Sequence, residues 1–82
     1  MNPVEQYIFK QEPELRELLL IIRSLILNCD RQVKETISYR IPFFKRNKPL
    51  CYLNPKKDGI DLVLQLINKL PYFYTSFSFM MR

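Results

Sequence analysis

Histidine is absent from the 82-residue chain, tryptophan is absent too, and glycine occurs once. Without histidine there is no Ser-His-Asp triad, no Cys-His pair and no His-bearing zinc or iron site. A single glycine rules out the Gly-rich loops that cradle phosphates and dinucleotides. Two cysteines, Cys29 and Cys51, make neither a disulfide framework nor a zinc motif, and they point to a reducing, cytoplasmic setting. Long apolar runs are lacking as well. The longest uncharged stretch, residues 70–81, is rich in Tyr, Ser and Thr and falls short of the ~20 apolar residues of a membrane span. The amino terminus has neither the basic flank nor the apolar run of a signal peptide. A soluble protein with no membrane partner is expected.

What is present fits one small domain spanning residues 1–82. A composition of 48% hydrophobic and 26% charged residues is ordinary globular usage and excludes disorder. The net charge of +5 is unevenly spread: residues 36–82 hold two acids against eight bases. Residues 39–54, "YRIPFFKRNKPLCYLN", contain no carboxylate at all.

Asn2 followed by Pro3 and Glu5 is an N-cap, a first-position proline and a carboxylate suited to the helix dipole, so a short helix is expected over residues 3–10. Val4, Tyr7 and Ile8 share its inner face. From Pro13 to about Cys29 a longer amphipathic helix follows, with Leu15, Leu18, Leu19, Ile22, Ile26 and Cys29 on one stripe and Arg16, Glu17, Arg23 and Ser24 opposite. Leu20 and Leu27 project near Arg16 and Arg23, and they read as an exposed apolar face open to self-association. "TISYRI" then resembles one short strand that Pro42 ends or places at an edge. "KRNKP" is a polar turn, and "LCYLN" is a strand with Cys51 and Leu53 alternating against Leu50 and Tyr52. "PKKDG" is a turn in which Gly59 supplies a positive φ, and "IDLVLQLI" is a third strand. A fourth is expected if the aromatic tail is extended, with Phe73, Thr75, Phe77 and Phe79 on one face and a tendency to self-associate. The plan is α+β: two helices packed on an antiparallel meander of three to four strands.

The basic and aromatic residues are the one positive chemical signal. Lys45, Arg46, Lys48, Lys56 and Lys57 are candidate anion contacts, and Tyr39, Phe43, Phe44 and Tyr52 could stack on bases as in a single-strand-binding sheet. The plainer reading assigns the rings chiefly to the core and the cations to two solvated turns. Cys51 reads as a small buried apolar residue rather than a nucleophile.

The runs "VEQYI", "ELRELLLIIRSLI", "ETISYRIPFF", "KPLCYLN" and "KKDGIDL" together resemble the YdhG-like family, a bacterial domain of unknown function, over residues 4–62. "ISYRIPFF" resembles the family's most recognisable strand entry. The resemblance implies a frataxin-like α+β fold, and residues 63–82 depart from the family pattern, so the carboxy-terminal part is expected to be incomplete. It also implies a non-enzymatic ligand- or partner-binding module, with a groove formed by Tyr39, Arg40, Pro42, Phe43 and Tyr52. One branch of the family is described as an iron chaperone, and for that alternative the metal candidates are Glu12, Glu14 and Glu17, with Arg16 set among them. No other cofactor is expected. Single-stranded nucleic acid, held through the basic turns, is the third reading.

Overall fold

The computed structural model describes residues 2–65 and 74–80. Helix α1 (Pro3–Phe9) and helix α2 (Pro13–Cys29) lead into five strands: β1 (Lys34–Ser38), β2 (Ile41–Arg46), β3 (Lys48–Lys56), β4 (Gly59–Gln65) and β5 (Tyr74–Met80). The strands form one antiparallel sheet in the order β1-β2-β3-β4-β5. The expected α+β plan holds, with one more strand than the three to four expected. Among the described residues no helix is long and apolar enough to cross a membrane.

Local chemistry explains the helix starts. The Asn2 side chain accepts from the Glu5 amide at 2.8 Å, and the Glu5 carboxylate accepts from the Asn2 amide at 3.2 Å, which is a complete capping box. Pro3 and Pro13 occupy first-turn positions where no amide hydrogen is needed. Arg16 donates to the carbonyls of Phe9 and Gln11 at 3.3 and 3.2 Å and so satisfies the chain where α1 ends.

The extra strand comes from the segment expected to be a single one. Tyr39 (φ 51°) and Arg40 (φ 65°) form a two-residue turn that pairs Ser38 with Ile41 and splits "TISYRI" into β1 and β2. Two positive φ values match the mirror-image turns that suit a twisted hairpin, usually built from Asn and Gly. Pro42 therefore neither ends a strand nor marks an edge; it is the second residue of a strand flanked on both sides. β2–β3 pairing begins at Phe43, so the missing amide hydrogen of Pro42 is not needed. Asn47, at φ 64°, makes the next reversal alone, with Lys45, Arg46, Lys48 and Pro49 already in strands.

Gly59 also departs from expectation. Its φ is not positive; instead a Cβ there would run into the carbonyl oxygen of Phe79 on β5, so glycine permits close approach of two strands. Residues 59–65 pair along β5, which gives part of the atypical 63–82 segment a place in the sheet. Phe79 packs against the core, whereas Phe73 lies outside the described residues.

The core lies between the helices and one face of the sheet. Val4, Ile8, Leu15, Leu19 and Ile22 meet Phe44, Leu53 and Ile60, all buried. The roll of α2 corrects the sequence reading. Leu20 and Leu27 are half-buried and pack against the core, while Ile21 and Leu25 are 58% and 62% exposed. The reason is Arg23. It shares an arc of the helix with Leu20 and Leu27, at i−3 and i+4, and its guanidinium turns inward to Glu35 on β1, with Nε and Nη2 at 2.7 and 2.6 Å from the two carboxylate oxygens. A self-association surface built on an exposed Leu20/Leu27 face is therefore withdrawn.

Asn2 adds a third bond to Glu35, its side-chain amide donating at 2.8 Å. Arg23 first, and Asn2 after it, hold the Glu35 carboxyl below the usual carboxylate range against the opposing effect of burial. Because the folded-state value is depressed, this stabilisation is fully present above the ~4.3 of an unfolded glutamate and is lost as pH falls through the folded value. Glu35→Gln should cost about 1–3 kcal/mol at neutral pH. Urea unfolding from pH 7 to pH 3 should show the gap between parent and variant closing below about pH 4.3; a gap independent of pH would refute the assignment.

Candidate functional site

Among the described residues, no helix covers the second face of the sheet. Strand alternation sends Pro42 and Phe44 to the helices and Ile41, Phe43 and Lys45 to the open side. Register then builds cross-strand rungs on that side. Thr36, Phe43, Tyr52 and Val63 form one, and Ser38 with Ile41 and Asn54 with Asp61 lie a step toward the β1–β2 turn. A step the other way, Lys34 faces Lys45.

Three rings form a row across this face. Phe43 and Tyr52 stack with centroids 4.9 Å apart and planes 21° apart, a spacing set by two neighbouring strands. Tyr39, raised by the turn and 90% exposed, lies over Phe43 at 5.9 Å with a 46° tilt. Beside the row is an open groove of about 360 Å³ lined by Tyr39, Ile41, Phe43, Tyr52 and Asn54. The Asn54 side chain carries both a donor and an acceptor, and it has no hydrogen-bond partner among the described residues.

Three of the five expected groove residues thus come together: Tyr39, Phe43 and Tyr52. Pro42 does not, because it is buried on the opposite face, and Arg40 stands exposed at the turn without lining the groove. The expectation that the rings are chiefly core holds for Phe44, which is fully buried, and fails for the other three. Ile41 and Asn54 were missed, although strand parity links them to Phe43 and Tyr52.

The candidate anion contacts do not form one patch. Arg46 is bound to Asp30 at 2.6 Å and to Gln32 at 3.0 Å, which ties the α2–β1 connection to β2. Lys56 is paired with Asp61 at 2.9 Å, and Ser78 donates to the same carboxylate at 2.7 Å. Lys48 opens the nine-residue β3 and Lys57 follows its far end in the β3–β4 turn, so a strand about 27 Å long at ~3.4 Å per residue separates them. Only Lys45 lies beside the rings, joined there by Lys34, which sequence reasoning did not single out. Glu12, Glu14 and Glu17 are exposed on the helical layer, and among the described residues no group of three or more acidic or cysteine side chains is gathered as metal ligands.

A second, wholly different recess of about 340 Å³ lies between α2 and the inner face of β3 and β4, walled by Leu25, Ile26, Val33, Leu62 and both cysteines. Leu50 reaches it because the register shift at Phe44/Lys45 makes it an extra residue in β3, so it turns to the side of Cys51 rather than that of Tyr52. Cys51 is buried, and desolvation pushes its thiol up to about 11, which supports its reading as an apolar core residue. Cys29, expected on the buried stripe, is exposed at the last turn of α2 with its thiol donating to the Leu25 carbonyl.

No family model, no curated protein and no solved structure matches the chain. The site is therefore read from its own geometry.

The unequal thiols give a direct test. With a disulfide reagent at pH 8, one thiol, Cys29, should react promptly and Cys51 only on unfolding, so Cys29→Ser should abolish the prompt phase. Two equal prompt phases would show that Cys51 is not buried.

Proposed function

We propose that this chain is a non-enzymatic binding module that takes a planar, ring-bearing ligand on the open face of its sheet. The observation that carries this is the Tyr39–Phe43–Tyr52 row beside an open groove with an unpartnered amide at Asn54. Exposed ring faces offer stacking, Ile41 gives an apolar floor, and the amide can meet the polar edge of a heterocycle. The order of two helices followed by an antiparallel meander agrees with the YdhG-like resemblance, which belongs to the same proposal and suggests a binding rather than a catalytic role.

The turn supports this reading. Tyr39 and Arg40 both hold positive φ, which costs non-glycine residues about 1–3 kcal/mol each, yet Tyr39 buries almost nothing in return. Its placement over Phe43 is what the strained turn achieves.

Titration with adenosine, and with indole as a ring without a sugar, should move the proton resonances of Tyr39, Phe43, Tyr52 and the Ile41 methyls saturably. If neither ligand does so, or if the shifts fall on the recess beneath α2, the reading is wrong. Replacing the turn by Tyr39→Asn with Arg40→Gly should raise stability by about 1–3 kcal/mol while weakening binding. Binding unaffected by loss of the Tyr39 ring would remove Tyr39 from the site.

A further inference from the structure

We infer that the ligand of the open face is single-stranded nucleic acid, with bases on the ring row and the backbone phosphates against Lys34 and Lys45. This rests on the reading of that face as a ring-binding surface, and it adds a partner class and two residues.

The charge distribution carries it. Three acids near the sheet are already engaged, Glu35 with Arg23, Asp30 with Arg46 and Asp61 with Lys56, and Asp58 lies in the β3–β4 turn beyond the end of β3. Glu14 and Glu17 lie on α2 and Glu12 is its N-cap residue, all on the helical side. Lys34 and Lys45, by contrast, have no carboxylate partner among the described residues, and they face each other directly across β1 and β2. Like charges at opposed positions repel and destabilise a strand pair, and an anion lying over this rung would relieve the repulsion. It is one step of roughly 7 Å along β2 from Phe43. Arg40, also without an acidic partner among the described residues, stands at the other end of the row beside Tyr39. Cations therefore bracket the rings along one line, the arrangement by which a sheet follows a phosphate backbone while stacking its bases.

Charge also decides against the main competitor for an open apolar face. Two copies of a chain of net charge +5 repel each other, which opposes laying a second copy on this face. The groove is open and shallow beside upright rings, which suits splayed single-stranded bases better than a duplex whose bases are already stacked.

The test is fluorescence anisotropy of the full chain with a labelled single-stranded oligothymidylate dodecamer, from low to physiological salt, with a duplex dodecamer and phosphatidylserine vesicles as parallel probes. The expected result is saturable binding to the single strand, weaker binding to the duplex, and a salt slope near −2 if Lys34, Lys45 and Arg40 each neutralise a phosphate at ~0.7 per contact. Lys34→Ala with Lys45→Ala should flatten that slope by about 1.4. Tyr52→Ala should weaken binding roughly 5- to 160-fold with the slope unchanged, as loss of one stacked base implies. Tyr39→Asn, at a residue 90% exposed, should weaken binding with the fold intact by circular dichroism. No binding at low salt, equal binding to duplex, a slope indifferent to the two lysines, or capture by vesicles alone would each overturn the inference. If the oligonucleotide fails while adenosine still moves the ring resonances, the partner class is wrong and the ring-binding face stands. If both fail, both are wrong.

Discussion

The carboxylate of Glu35 accepts three hydrogen bonds, two from the Arg23 guanidinium on α2 and one from the Asn2 side chain that also caps α1. One residue on the first strand thus fastens both helices to the sheet. Because its side chain is only 11% exposed, removing either partner would strand a half-buried charge, so the three elements are bound to one arrangement. That arrangement sets the roll of α2. Once Arg23 points to β1, Leu20 and Leu27 must turn inward with it, Leu19 and Ile22 fall on the core, and Ile21 and Leu25 are left outside.

Fastening both helices to one side of the sheet determines what the other side can be. The inner face is filled by Phe44, Leu53 and Ile60 and closed by helices. Strand alternation then commits the neighbours of these residues to the open side, so burying Phe44 exposes Phe43 and burying Leu53 exposes Tyr52 and Asn54 in part. Two aromatic residues in succession therefore have separate duties. Phe44 is core, and Phe43 joins a ring row in contact with solvent.

Much of this was legible locally. The capping box at Asn2, the prolines that open both helices and the 3.6-residue periodicity of α2 are short-range signals, and both helices appear within a residue of their expected limits. What could not be read is non-local or lacks its usual marker. Arg23 looked like a solvent residue because its partner is twelve positions away on a strand. The β1–β2 turn was invisible because Tyr-Arg stands where Asn-Gly would announce a hairpin. Losing that turn hid the parity of β2, and with it the burial of Pro42, the membership of Ile41 and the pairing of Lys34 with Lys45. The bulge that turns Leu50 toward α2 and the close approach that requires Gly59 depend on neighbouring strands and leave no mark in the local sequence.

The unfavourable local choices are not scattered. Elsewhere local choices agree better: the capping box of α1 is complete, Pro3 and Pro13 sit where no amide hydrogen is needed, and half-buried Glu35 is paired. On the open face, two non-glycine residues hold positive φ, three rings stay in contact with solvent, two lysines oppose each other without a carboxylate, and Asn54 keeps an unpartnered amide among the described residues. Each could be relieved by surface substitutions that leave the core untouched. Departures from local consistency concentrate where a surface must do something other than stabilise the fold. Four kinds of departure fall within a few strand steps of Phe43, and their shared chemistry, rings bracketed by unpaired cations, is what supports our proposal of a flat, negatively charged ligand.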